Sequence, residues 1–158
     1  MRTSRSLIAR SWFCILFFAA CCIQTSGAEV DDPPPVVVEA LLPFAPLPAF
    51  PTAKQYWGID AAAGYRIEVP AQWNGSLVMY AHGYRGEGPQ LIVSNPAIRA
   101  YLLANGFAWA ASSYSRNHYD VKGGVLSTSS LARAFDDITG LTPRRHFITG
   151  HSMAGHIT

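Results

Sequence analysis

Between Tyr65 and Val69 the chain alternates: Tyr65, Ile67 and Val69 share one side, Arg66 and Glu68 the other, and Pro70 stops the run. A period of two predicts a half-buried strand with its charged residues on the wet face. Asn74-Gly75 supplies a turn, and Ser76 to His82 is then almost uniformly apolar, the pattern of a strand covered on both faces. A helix is expected next, with Asn95 as N-cap, Pro96 at its first position, Ile98, Leu102 and Leu103 as its apolar stretch and Gly106 as its stop. Phe107 to Tyr114, short, apolar and aromatic, predicts a third strand. A loop over Ser115 to Gly124 leads to a second helix, in which Leu131, Phe135 and Ile138 fall at helical spacing and Gly140 and Pro143 close the run. A fourth strand, His146 to Gly150, runs directly into Ser152. Strands alternating with helices predict an α/β fold: a three-layer, open, mostly parallel sheet with helices on both faces. In such sheets, sites collect at the carboxyl ends of the strands.

The ends of the chain change this picture little, but they set its context. Arg2, Arg5 and Arg10 precede the apolar run Trp12 to Ile23, and Ser26 and Ala28 place small residues where a signal peptidase reads. Residues 1–28 are expected to be a signal peptide cut after Ala28, which makes the protein secreted or periplasmic. A lipoprotein cut at Cys21 is the weaker alternative, because Phe18 stands where Leu is usual. Twelve apolar residues fall short of the roughly 20 that span a bilayer, so no stable membrane span is expected. Residues 29–51 are proline-dense, a composition that favours extended backbone, and predict an arm ahead of a folded domain over 52–158.

Removing the leader also changes the composition. All three cysteines, Cys14, Cys21 and Cys22, lie inside it, so the remainder has no thiol for a disulfide, a nucleophile or a cysteine metal site. Taking the three leader arginines from twelve basic residues leaves nine against ten acidic ones, a formal balance of −1. That charge does not suggest a nucleic-acid partner. The sequence has no phosphate loop, dinucleotide fingerprint or metal cluster, so no cofactor is implied.

The candidate chemistry sits at the carboxyl end of the chain. "GHSMAG", Gly150 to Gly155, follows a predicted strand directly, and "AHGYRG", Ala81 to Gly86, ends an earlier one. Together they resemble the α/β-hydrolase family and its nucleophile elbow, G-x-S-x-G, over roughly Tyr65 to Thr158. Gly150 matches the first glycine and Ser152 the nucleophile, while Ala154 stands where the second glycine is usual. The resemblance implies that Ser152 attacks an acyl carbon and that the backbone N–H groups of Met153 and Tyr84 hold the oxyanion. It also implies a small-molecule ester as substrate. Tyr84, Tyr114 and Tyr119 suggest either an aromatic-lined cleft or simple surface packing, the commoner place of loop tyrosines.

The family's order is serine, acid, histidine, and only six residues follow Ser152. His156, one turn beyond the serine, is badly placed to act on it. His151 reads as a packing neighbour, His82 as a structural residue of the oxyanion loop, and His118 and His146 precede the elbow. Asp120, Asp136 and Asp137 also precede it, and the last two read as a solvated helix face. The chain is therefore expected to be the amino-terminal half of a serine hydrolase, truncated just past its elbow and inactive by itself. A secreted peptidase of prolyl-oligopeptidase type and a non-catalytic binding module on the same fold remain as alternatives.

Overall fold

The computed structural model describes residues 32–158. The expected leader and the first residues of the proline-rich arm lie outside that range. Seven strands form among the described residues: β1 (Val36–Val37), β2 (Lys54–Asp60), β3 (Ala63–Val69), β4 (Ser76–Ala81), β5 (Gln90–Leu91), β6 (Ala108–Ser112) and β7 (Arg145–Gly150). The α-helices among the described residues are α1 (Arg99–Ala104) and α2 (Val121–Thr139). Strands β1 and β5 make a small parallel pair, and the other five form one sheet in the order β2-β3-β6-β4-β7.

This is not the expected three-layer, mostly parallel sheet with helices on both faces. The pairings β2–β3 and β3–β6 are antiparallel, and only β4–β6 and β4–β7 are parallel, so the sheet is mixed. Only α2 is long. It covers one face through Leu131 and Phe135, packed on Ile67, Leu77, Met79 and Ala110. The opposite face is covered by the six-residue α1 together with irregular chain of the arm, where Leu42 is buried and Phe44, Leu47 and Phe50 pack against Val78, Tyr80 and Trp109.

Strand β2, like the short β1 and β5, is not among the elements expected from the sequence. It joins β3 through a two-residue turn made of Ala61 and Ala62, both in the left-handed region at φ 45° and 65°. Such turns normally call for Asn-Gly or a similar pair, because a side chain is strained there. Two alanines carry no turn signal, so this hairpin, one of the two antiparallel pairings that make the sheet mixed, leaves no mark on the sequence.

The helix ends also differ from expectation. Helix α1 begins at Arg99 rather than Pro96, because the Asn95 side chain is taken: its Oδ1 accepts from Arg66 Nη1 at 2.8 Å. Helix α2 begins within the expected loop, because Asp120 Oδ1 accepts from the Gly123 N–H at 2.8 Å and caps it there. At its other end Gly140 takes φ 72°, and its N–H returns to the Asp136 carbonyl at 2.8 Å, as the sequence suggested.

The expectation that Arg66 and Glu68 face water fails on the same side of the sheet. Glu68 is fully buried and accepts four hydrogen bonds, from Arg99 Nε (2.6 Å), Arg99 Nη2 (2.7 Å), Trp109 Nε1 (2.9 Å) and Gln55 Nε2 (2.9 Å). Arg99 also donates to the Ala45 carbonyl, and Arg66 donates to the carbonyls of Leu41 and Leu42. Both guanidinium groups lie 5.1 Å from the Phe44 ring centre. The arm is thus fastened to the sheet by two cations that read its carbonyls, which proline-rich chain leaves unpaired. Among the described residues no helix is long and apolar enough to cross a membrane.

Candidate functional site

Strand β7 lies beside β4 in parallel register, with Tyr80 opposite Thr149 and Ala81 opposite Gly150. Both strands end at the same edge, so the loop after β4 and the turn after β7 meet. His151 is still extended at φ −144°, and the chain then reverses at Ser152, which takes φ 57° before the 3₁₀ turn Ser152–His156. A non-glycine residue in the left-handed region costs roughly 1–2 kcal/mol, so the surrounding packing must hold it there. Met153, Ala154 and Ile157 do so, buried against Ala81 and Tyr114. The Ser152 side chain is left at the exposed tip.

Close approach explains the small residues. A Cβ on Gly150 would lie 2.6 Å from Ala154 Cβ and 3.1 Å from the Ala81 carbonyl oxygen. Ala154, which replaces the usual second glycine, keeps its methyl because Gly150 has none, and it is fully buried. Gly150→Ala is expected to cost about 1–3 kcal/mol through this overlap. The check is a denaturant titration in which the midpoint falls while the slope stays constant.

A Cβ on Gly83 would lie 3.2 Å from Ser152 Cβ and 3.3 Å from the His151 carbonyl oxygen. The backbone of the loop after β4 therefore rests directly on the serine. Neither the Tyr84 N–H nor the Met153 N–H has an acceptor among the described residues. The structure thus places Gly83, the residue before Tyr84, against Ser152. The Tyr84 ring is exposed, its hydroxyl 3.3 Å from Glu87 Oε1.

Beneath the loop lies a pair that the sequence marked only in part. The His82 ring stacks on Tyr114 with centres 3.9 Å apart, and the Tyr114 hydroxyl donates to the His82 carbonyl at 2.9 Å. His82 Nδ1 lies 2.6 Å from the Gly83 carbonyl oxygen and Nε2 lies 3.2 Å from that of Ser113. Burial, with Arg85 and His151 adding to it, pushes the His82 pKa below its ordinary value against the pull of the two carbonyls. Burial likewise pushes the Tyr114 phenol up to about 12, so it remains a donor. Tyr114 is 1% exposed and itself takes φ 62°, so it supports the site from below instead of lining a cleft. Gly124 of α2 packs against Ile157 and Tyr114, tying the helix to the same cluster.

The remaining candidates lie apart from the serine hydroxyl, which has no hydrogen-bond partner among the described residues. His156 Nδ1 is 3.0 Å from the Tyr119 hydroxyl, and both are exposed. His146 is exposed at the far end of β7, Asp120 caps α2, and Asp136 and Asp137 lie exposed on α2. Among the described residues no group of three or more His, Cys, Asp or Glu side chains is placed to hold a metal. A groove of about 480 Å³, between Phe50, Pro51, Pro70, Gln72, Asn74 and Asn105, opens at the other end of the sheet. Ser152 itself stands on open surface. Compared with protein-family models and with curated protein sequences, the chain finds no match.

Proposed function

We propose that this chain carries the nucleophile and oxyanion-binding side of a serine hydrolase acting on a carboxylic ester. The observation that carries the reading is Ser152 itself: a strained, exposed serine at φ 57°, against which the backbone of Gly83 is packed. Strain of this kind persists only where packing enforces it, and it collects at functional sites. The N–H of Met153, next to the serine, and that of Tyr84, next to Gly83, have no acceptor among the described residues, and free donors are what a developing oxyanion requires.

In that reaction Ser152 Oγ adds to the ester carbonyl carbon, and the carbonyl oxygen becomes the oxyanion that the Tyr84 and Met153 N–H groups receive. The Oγ proton passes to a base and from it to the departing alkoxide. Water then repeats the addition on the acyl-serine, releasing the acid and restoring the hydroxyl. The expected leader would place this chemistry outside the cytoplasm.

One observation favours a second reading, a binding module that uses the same turn without turnover: no histidine or carboxylate bonds the Ser152 hydroxyl among the described residues. A single experiment separates the two. A fluorophosphonate probe applied to the protein as its source makes it is expected to mark the peptide containing Ser152 and to leave Ser152→Ala unmarked. Folded protein that resists the probe and hydrolyses no nitrophenyl ester would sink the hydrolase reading.

A further inference from the structure

The hydrolase reading leaves His82 unused, yet the structure treats it as more than a filler. It is buried, stacked on Tyr114, and has a carbonyl oxygen facing each ring nitrogen. Carbonyls only accept, and a neutral imidazole has one proton, so one contact takes it and the other meets a lone pair. The 2.6 Å contact from Nδ1 to the Gly83 oxygen is the shorter, and it assigns the proton to Nδ1.

That bond matters because of the peptide it holds. The Gly83 carbonyl and the Tyr84 N–H belong to one planar trans unit, so they point in opposite directions. Anchoring the oxygen toward the buried ring fixes the N–H on the opposite side of the peptide, away from His82, while Gly83 itself packs against Ser152. Gly83 is the residue least able to hold this orientation alone, since it has no side chain to restrict its backbone. A donor on the carbonyl also polarises the amide and strengthens its N–H as a donor.

We infer that His82 is a positioning residue for the Ser152 site, its Nδ1–H locking the Gly83–Tyr84 peptide so that the Tyr84 N–H stays aimed at the oxyanion. The inference rests on the hydrolase reading for its chemical purpose, but the locked peptide can be observed without it. Tyr114 is the second part of the device, because it grips the His82 ring and carbonyl on one side and packs on Met153 and Ala154 on the other. One buried side chain thereby links the two segments that supply the N–H donors.

The test compares His82→Asn with His82→Leu in the protein as its gene encodes it. An asparagine amide can place its N–H near the position of Nδ1, whereas leucine fills space and donates nothing. The first readout is the Tyr84 backbone amide, by its nitrogen and proton shifts and its hydrogen-exchange rate. In His82→Leu the Tyr84 amide is expected to shift and exchange faster, and in His82→Asn to stay near its original position. The second readout is the rate of fluorophosphonate reaction at Ser152. Loss of one oxyanion donor costs on the order of a hundredfold or more, so a misaimed donor is expected to cost about tenfold to a hundredfold in the leucine variant, with asparagine recovering most of it.

A Tyr84 amide that is unmoved in folded His82→Leu overturns the inference, whatever the labelling rate does. So does an asparagine variant as slow and as perturbed as the leucine one. If the unaltered protein is not labelled at all, the hydrolase reading fails, and the Tyr84 amide still decides whether His82 holds the peptide.

Discussion

Replacing Glu68 with alanine is expected to destabilise the fold by about 3–5 kcal/mol, the range for removing one partner of a buried ion pair. The carboxylate receives four donors in a site without water access, so its loss strands the Arg99 guanidinium and the Trp109 and Gln55 N–H groups together. Arg99 would then be a buried cation held only by the Ala45 carbonyl and the faces of Phe44 and Trp109. Because Arg99 also ties down the arm, the arm's amides near Ala45 should exchange faster than those of β4. The companion variant, Glu68→Met with Arg99→Met, removes both charges at once and should recover most of the loss, since apolar replacement of a whole buried pair is often neutral. Urea titrations of the two variants decide it. A single variant within about 1 kcal/mol of the unaltered chain would show that water reaches the pair.

Self-association through β7 is the second expected result, and lysine at both Phe147 and Ile148 should suppress it. Among the described residues strand β7 pairs only with β4, which leaves one row of its backbone N–H and C=O groups without a strand partner there. Successive residues of a strand face opposite sides, and Phe147 and Ile148 are 47% and 42% exposed, so neither face of the strand is covered. Phe147 has an edge-on contact with Phe107 at 6.0 Å, and Arg145, His146, Phe147 and Ile148 are exposed. A bare apolar edge templates pairing with another chain, and charge on the edge is the usual remedy. In sedimentation at micromolar concentration, the 158-residue chain should run mostly as assemblies, and the Phe147→Lys, Ile148→Lys variant as a monomer. A monomeric, cooperatively melting unaltered chain would count against this reading of the edge.

The sequence alone determined the parts governed by local patterns. The existence of strands β3, β4 and β6 needed no tertiary information, because a period of two and a short continuous apolar run are both written into which positions are apolar. Gly140 marked the end of α2 because the left-handed cap it adopts favours glycine. The order of motifs likewise put the segments that carry Gly83 and Ser152 directly after strands, and the parallel β4–β7 pairing brings those two strand ends to one edge.

What the sequence could not determine was whatever depended on a distant partner. Glu68 looked solvated because alternation reports which side a residue faces, and not whether the arm and Arg99 later cover that side. Asn95 looked like a cap until Arg66 claimed its side chain, and Asp120 became a cap that composition had not singled out. The hairpin at Ala61-Ala62 added β2 to a sheet that the antiparallel β3–β6 pairing already makes mixed, and its left-handed alanines are tolerated because seven paired positions of β2 and β3 hold them in place. The same holds for the strained serine. Its residue type and motif were legible, but its φ of 57°, the Gly83 backbone resting on it and the Tyr114 support beneath both exist only once β4, β7 and α2 have packed together. Local propensity selects what a segment favours, and long-range packing decides which unfavourable conformations can be maintained.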